Sequence, residues 1–274
     1  MKKVTAFVGS GHKRLTHNAV LQFLDDVRSF GDVETELVTL SDYRLGTCRG
    51  CRLCFEKGEE TCPMKDDRDA LIEKIMASDG VVFASPNYSF QVSGMLKVFL
   101  DRIGYVFHRP RFFGKTFTSI VTQGFFGGRK IVGYLDFVGN ALGFNTVPGS
   151  CFTALDPPTS KEKEKRDRAL AAQSRRFYHR MNRTPFPAPS LLKLWGFRMG
   201  RTSVKLELTE LDSDYRYYTD KGWFASDYFY PVRLNPLMKA AGRLFDTAQT
   251  RKTLKRKRSA PVETGPRTGV SAPP

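Results

Sequence analysis

The first half of the chain switches repeatedly between two hydrophobic periods. Residues 3–9 (KVTAFVG) form a short apolar run ending in Gly-Ser-Gly. Behind it Val20, Leu21, Leu24 and Val27 recur at helical spacing, with Thr16 placed to cap the helix. Residues 33–40 alternate apolar and polar, as a strand does. Asp66 or Asp67 can open a helix whose inner face holds Leu71, Ile72, Ile75 and Met76. Residues 80–85 read as a third strand stopped at Pro86, and residues 95–106 as a helix with Leu96, Phe99, Leu100 and Ile103 on one face. A strand over 116–121, a helix over 130–142 and a strand over 146–152 complete the series. Strand–helix alternation at this pitch predicts an α/β fold built of right-handed βαβ units, with a doubly wound five-stranded parallel sheet. In such sheets ligands bind beyond the C-terminal ends of the strands, near the point where strand order reverses. The loops 9–16, 86–94 and 122–128 are therefore where function is expected.

After Ala154 the texture changes. Residues 160–183 predict a charged helix, 184–190 (TPFPAPS) a proline-rich break, and 191–201 a short, apolar and basic segment. Residues 212–231 are aromatic-rich, residues 237–257 read as a helix, and residues 259–274 are small, polar and proline-rich, so disorder is expected there. The reading divides the chain into a sheet domain (1–154), a basic, mainly helical and aromatic extension (155–258) and a tail (259–274).

Charge sharpens that division. The formal net charge is +16, from 44 Lys and Arg against 28 Asp and Glu. Residues 1–154 carry 19 against 16, and residues 155–274 carry 25 against 12. The basic character thus belongs to the extension. Its candidate partners are an anionic membrane surface or an acidic protein; nucleic acid is the weakest option, because no recognised reader motif accompanies the charge. Leu191, Leu192, Leu194 and Trp195 beside Lys193, Arg198 and Arg201 suit a membrane interface, and equally a helix packed on the core. No run of eighteen apolar residues occurs, so no spanning helix is expected. The N-terminus reads as a strand and not as a signal peptide, so a cytoplasmic location, peripheral to a membrane if the extension docks there, and reduced thiols are expected.

Three loops and one cysteine run carry the candidate chemistry. The loop GSGHKRLT offers glycines for close approach, the hydroxyls of Ser10 and Thr16, and helix-start amides; these suit a phosphate monoester, or simply a turn. In SPNYSFQVSG, Asn87 and Tyr88 offer an amide and an aromatic plate after a rigid Pro86. In TQGFFGG, Gly124, Gly127 and Gly128 offer backbone donors, and Phe125 and Phe126 suit a lid or a subunit interface. Cys48, Cys51, Cys54 and Cys62 stand at C-x2-C-x2-C-x7-C, with Pro63 following. That spacing suits an iron–sulfur cluster; zinc more often uses two separated C-x2-C knuckles, and a run that holds no metal stays open. The fifth cysteine, Cys151, falls in a predicted strand and reads as a small buried hydrophobe.

Taken in order, GS-x5-T at 9–16, the cysteine run, CPMKDD at 62–67, SDGVVFASPNY at 78–88, SGMLKVFLDR at 93–102 and TQGFFGG at 122–128 resemble the NAD(P)H-dependent FMN reductase family, of flavodoxin-like fold, and its iron–sulfur flavoprotein branch fits best. The resemblance covers roughly residues 1–154. It implies that Ser10, His12 and Thr16 hold the FMN phosphate, and that Pro86, Asn87, Tyr88, Ser89, Gln123 and Gly124 border the isoalloxazine. It also implies a [4Fe–4S] cluster on the four clustered cysteines. Position 12 departs from the family, which commonly has arginine there; a histidine holds phosphate less well as pH rises. The implied activity is electron transfer from NAD(P)H or a small redox protein through FMN, in a homo-oligomer. The cofactor supplies the reactivity, so no catalytic side chain is named. The competing reading is a non-enzymatic protein that holds FMN as a redox-responsive or membrane-associated binding module.

Overall fold

The computed structural model describes residues 1–153, 155 and 157–259. They fall into two compact units, one of Met1–Cys48 with Met64–Pro185, the other of Arg49–Pro63 with the chain from Phe186 onward. The expected tail over 259–274 lies, apart from Ser259, outside the described residues.

Unit 1 is built on β1 (Lys2–Val8), β2 (Val33–Thr39), β3 (Gly80–Pro86), β4 (Thr116–Gln123), β5 (Asn145–Thr146) and β6 (Ser150–Thr153). All pair in parallel, in the order β2-β1-β3-β4-β5, with β6 continuing along β4 beyond β5. Every residue of β3 is buried, as a strand covered on both faces requires. The chain winds outward from β1 to β2 and returns across it to β3, so the reversal point lies between β1 and β3. The fifth strand expected over 146–152 is in fact two pieces, because Pro148 and Gly149 interrupt it and the Gly149 amide turns to the Asp136 carboxylate at 3.3 Å.

Helices α1 (Leu15–Ser29), α3 (Arg68–Met76), α4 (Gly94–Arg102), α5 (Gly128–Ala141) and α6 (Ser160–Met181) belong to this unit, and α2 (Leu53–Glu56) to the other. The apolar stripes named from sequence are buried, with three exceptions: Leu21 is exposed on α1, Met76 on α3, and Cys151 on β6 is only half-buried. Helix α6 extends the compact unit beyond Ala154. Its capping box, Thr159 with Glu162, starts it, and Leu170, Phe177 and Met181 join the core formed by β1, β3 and α1. Phe177 meets Phe23 edge-on at 5.4 Å. It occupies space that only glycine leaves at position 80: a Cβ there would lie 2.6 Å from the Phe177 ring. Gln173 is fully buried and donates to the Thr118 hydroxyl at 2.8 Å and the Ser119 carbonyl at 2.9 Å. The basic outer face of α6 hid this apolar stripe in the sequence, and the compact unit runs on to Pro185, past the end expected at Ala154.

Unit 2 contains α2, α7 (Leu191–Glu207), α8 (Ser213–Asp220) and α9 (Pro236–Ser259). Its centre is aromatic. Trp223 is buried, donates its indole N–H to the Phe229 carbonyl at 2.9 Å, and meets Tyr218 and Phe229 edge-on at 4.8 Å each. Leu194 is buried, and Arg198 and Arg201 are committed to ion pairs with Asp227 and Asp246. These three therefore leave the set expected to face a membrane.

Candidate functional site

Strands β1, β3 and β4 end side by side, and the loops leaving them line one cleft of about 290 Å³. Ser10, His12 and Thr16 enter from the first loop, Pro86, Asn87 and Tyr88 from the second, and Gln123 and Gly124 from the third. Eight of the nine predicted cofactor residues are thus brought together. Ser89 does not line the cleft. Arg14, Leu15 and Thr122 do; of these, sequence reasoning offered only Arg14, as added charge for a phosphate. Thr122 was legible as the first residue of the third loop, with no role given to it.

The first loop is placed by β1. Gly9 sits so close to α4 that a Cβ would come 2.6 Å from the Ser93 hydroxyl. Thr16 does not cap α1 as expected: it is the second residue of the helix, buried, and its hydroxyl shares a 2.7 Å hydrogen bond with that of Thr122. The first loop and β4 are tied together through that bond. The start of α1 is left with no side-chain cap and no acidic residue in its first turn. Its first amides therefore present hydrogen-bond donors and a positive helix end beside His12, Lys13 and Arg14. Ser10 is buried and donates to the His12 carbonyl at 3.1 Å, which folds the loop back on itself.

The second loop is a tight hairpin. Tyr88 and Gln91 exchange backbone hydrogen bonds at 3.0 and 2.9 Å, and the two residues between them, Ser89 and Phe90, have φ of 50° and 62°. Two consecutive left-handed non-glycine residues are strained. The hairpin begins at Tyr88, which lines the cleft, and it sets the exposed Phe90 ring 5.3 Å from Phe126. Asn87 links loops two and three: its backbone amide donates to the Thr122 carbonyl at 2.7 Å, and its side-chain nitrogen to the Phe126 carbonyl at 2.9 Å. Its side-chain oxygen is buried with no hydrogen-bond partner. An orphaned acceptor in a ligand-sized cleft calls for a donor from outside the chain.

The third loop is held by Gln123, whose side-chain oxygen accepts from the Gly128 amide at 2.7 Å while its nitrogen donates to the Phe125 carbonyl at 3.2 Å. Gly128 has no room for a Cβ, which would stand 2.5 Å from the Cys151 sulfur. Burial pushes the Cys151 thiol up in pKa, with Arg129 opposing, so it stays protonated at neutral pH.

The NADPH-dependent FMN reductase family matches residues 2–155, more than half of the chain and all three loops. The chain belongs to that family. Among relatives, this flavin reductase family member is 36% identical over 126 residues to an iron–sulfur flavoprotein of Archaeoglobus fulgidus, covering 42% of the chain and 56% of the relative. It is 31% identical over 149 residues to a second iron–sulfur flavoprotein of that organism, covering 54% and 72%. These relatives place it on the iron–sulfur flavoprotein branch; the chain spans only a little over half the length of the first. Its fold is similar to the crystal structure of RosB with bound 8-demethyl-8-formylriboflavin-5'-phosphate, with a TM-score of 0.53 and 14% identity over 86% of this chain and 92% of that one.

The cleft suits FMN. The uncapped helix start and its basic loop match a phosphate, and the unsatisfied Asn87 oxygen matches a ring N–H. The cysteine run fits a cluster less well. Cys48 and Cys51 are exposed, Cys54 and Cys62 half-buried, and none is in a disulfide. Gly50, Arg52 and Gly58 all take positive φ in this segment. Among the described residues no three His, Cys, Asp or Glu side chains are gathered as a metal would need. The donor chemistry is right for iron and sulfide, but the arrangement does not assemble it.

Proposed function

We propose that the protein is an FMN-dependent oxidoreductase that takes electrons from NAD(P)H or a small redox protein. The observation that carries this reading is the cleft at the ends of β1, β3 and β4, with an uncapped helix start at one side and the orphaned Asn87 acceptor at the other. When bound, FMN accepts a hydride or single electrons and passes them on. The chain's own residues do the rest. Ser10, His12, Arg14 and Thr16 hold the phosphate, and the Thr16–Thr122 bond fixes that loop against β4. Pro86, Asn87 and Tyr88 orient the ring, Asn87 accepting from a ring N–H. Gln123 and Gly124 close its far edge, and the exposed Phe125 and Phe126 stand where they would shed water from a seated donor.

The four clustered thiols are assigned to a [4Fe–4S] cluster on their spacing and on the naming of the relatives alone. One experiment addresses both groups. Protein made and kept without oxygen, with iron supplied, is read by visible spectrum and by iron, sulfide and flavin analysis. It is then mixed with NADH, NADPH or reduced ferredoxin. One FMN per chain that is reduced by one of these donors supports the oxidoreductase. FMN that binds but is reduced by none makes the chain a flavin-holding module. About four irons and four sulfides, lost in Cys51→Ser while FMN stays, support the cluster; iron-free protein with full flavin reduction removes it.

A further inference from the structure

Helices α7 and α9 of unit 2 form a pair with its polarity reversed. Asp246 of α9 takes Arg198 at 2.9 Å, Arg201 at 2.6 Å and the Thr202 hydroxyl at 3.0 Å. One turn on, Gln249 donates to Ser203 at 2.6 Å, and after another Thr253 donates to Glu207 at 3.1 Å. The partners advance together, so the helices run parallel, and their shared seam is polar. Gly242 lets them close: a Cβ there would lie 3.0 Å from Arg198 Nε.

The opposite face of α9 is apolar where a helix in water would be polar. Helical spacing aligns Leu237, Ala240, Ala241, Leu244 and Ala248 on it, and then Arg251, Lys255 and Arg258. Leu237 is 81% exposed and Leu244 69%. Because the pair is parallel, the exposed Leu191, Leu192 and Trp195 of α7 begin at the same end. Polar contacts between helices with apolar side chains turned outward suit an apolar surrounding.

Charge selects the occupant. Helix α9 carries eight Lys and Arg and a single acidic residue, Asp246, which Arg198 and Arg201 already use. A second copy of the chain, seated face to face, would set these like charges against one another. An anionic bilayer accepts both halves: leucines enter the interface while Arg251, Lys255 and Arg258 reach lipid phosphates. No described helix is long and apolar enough to cross a membrane, so the contact is peripheral. We infer that the outer face of α9, with the start of α7, is a docking face for an anionic lipid surface.

The test uses the full chain with vesicles of phosphatidylglycerol and phosphatidylcholine, and with phosphatidylcholine alone. The protein cosediments with the anionic vesicles, binds pure phosphatidylcholine at least about tenfold less, and is released by raised salt. Leu237→Glu with Leu244→Glu lowers binding about tenfold or more. Arg251→Glu, Lys255→Glu and Arg258→Glu together lower it about a hundredfold. The chain has two tryptophans, Trp195 and the buried Trp223, so a blue shift of wild-type emission on vesicles, quenched by brominated lipid and lost in Trp195→Phe, reports contact at α7 without disturbing α9. Indifference to anionic vesicles, salt-independent binding or an unquenched Trp195 overturns the inference. So does a leucine variant that keeps vesicle binding, or one that changes only the sedimentation coefficient from dimer to monomer. Binding of duplex or single-stranded nucleic acid in preference to vesicles overturns it as well.

Discussion

Arg102 grips the Asp66 carboxylate with both terminal nitrogens, at 3.0 and 2.9 Å. The same nitrogens reach the carbonyls of Gly46 at 3.3 Å and Met64 at 3.4 Å, and Asp66 also accepts from the Gly46 amide at 2.9 Å. The two sides of the cysteine segment's base are thereby fastened to the end of α4. Both charged groups are nearly out of water, at 1% and 10% exposure. Removing one leaves the other buried and unpaired, so Arg102→Ala should cost about 3–5 kcal/mol of stability. Urea denaturation measures this, and limited proteolysis should show new cleavage between residues 47 and 63. A near-normal midpoint would mean that the clamp is dispensable.

Ser10→Asp and Thr16→Asp each put an anion where the phosphate is proposed to sit. FMN affinity should fall by about tenfold or more, since the change sets like charges a few ångströms apart. Fluorescence titration reads it. Unchanged affinity in both variants would remove these residues from the phosphate site.

The strained hairpin offers a gain. Replacing Ser89-Phe90 by Asn-Gly relieves two left-handed residues and should raise stability by about 1–2 kcal/mol, seen as a higher melting temperature. FMN release should quicken in the same variant, because the Phe90–Phe126 contact is lost.

Phe177→Ala empties space between α1 and β3. A cost of about 3–5 kcal/mol is expected, the cost of a large core truncation. A cost near zero would return α6 to the status of an appendage.

Asp79 carries a pH dependence. Burial pushes its carboxyl up, but hydrogen bonds from the Lys2 ammonium and the Lys3 amide, both at 2.9 Å, outweigh burial and hold it below the usual carboxylate range. A depressed folded-state pKa means that its contribution is complete above the unfolded carboxylate value and is lost as pH falls through the folded one. Wild-type melting temperature should therefore drop more steeply between about pH 5 and pH 2 than that of Asp79→Asn. Parallel curves would show that the group does not matter to stability.

The sheet was legible because buried strands write continuous apolar runs and proline or glycine ends them, as at Pro86. The cleft was legible because three strand-end loops must converge where strand order reverses. The motifs CPMKDD and SGMLKVFLDR could be quoted but not explained: that Asp66 of one meets Arg102 of the other is a fact of tertiary structure. The role of Thr16 was misjudged for a similar reason. A threonine before an apolar stripe reads as a cap, and only the proximity of Thr122 turns it into a tie between β4 and the loop. Helix α6 was read as part of the extension because its many charges outweighed the four-residue stripe of Leu170, Ser174, Phe177 and Met181. Helix α9 was read as a helix, but its faces were not legible. Its seam residues are polar, so nothing in its periodicity marked them as the buried side.

The break at Pro148 and Gly149 has a bearing on how the molecule behaves among other copies of itself. A full-length strand beside β4 would leave an unbroken row of amides and carbonyls along one margin of the sheet, a template on which another chain could extend it. Two residues in β5 and four in β6, separated by a proline that has no amide to offer, leave no stretch long enough for stable strand addition. Replacing Pro148 by a β-former would do more than regularise a strand; it would supply the continuous margin on which aggregation begins.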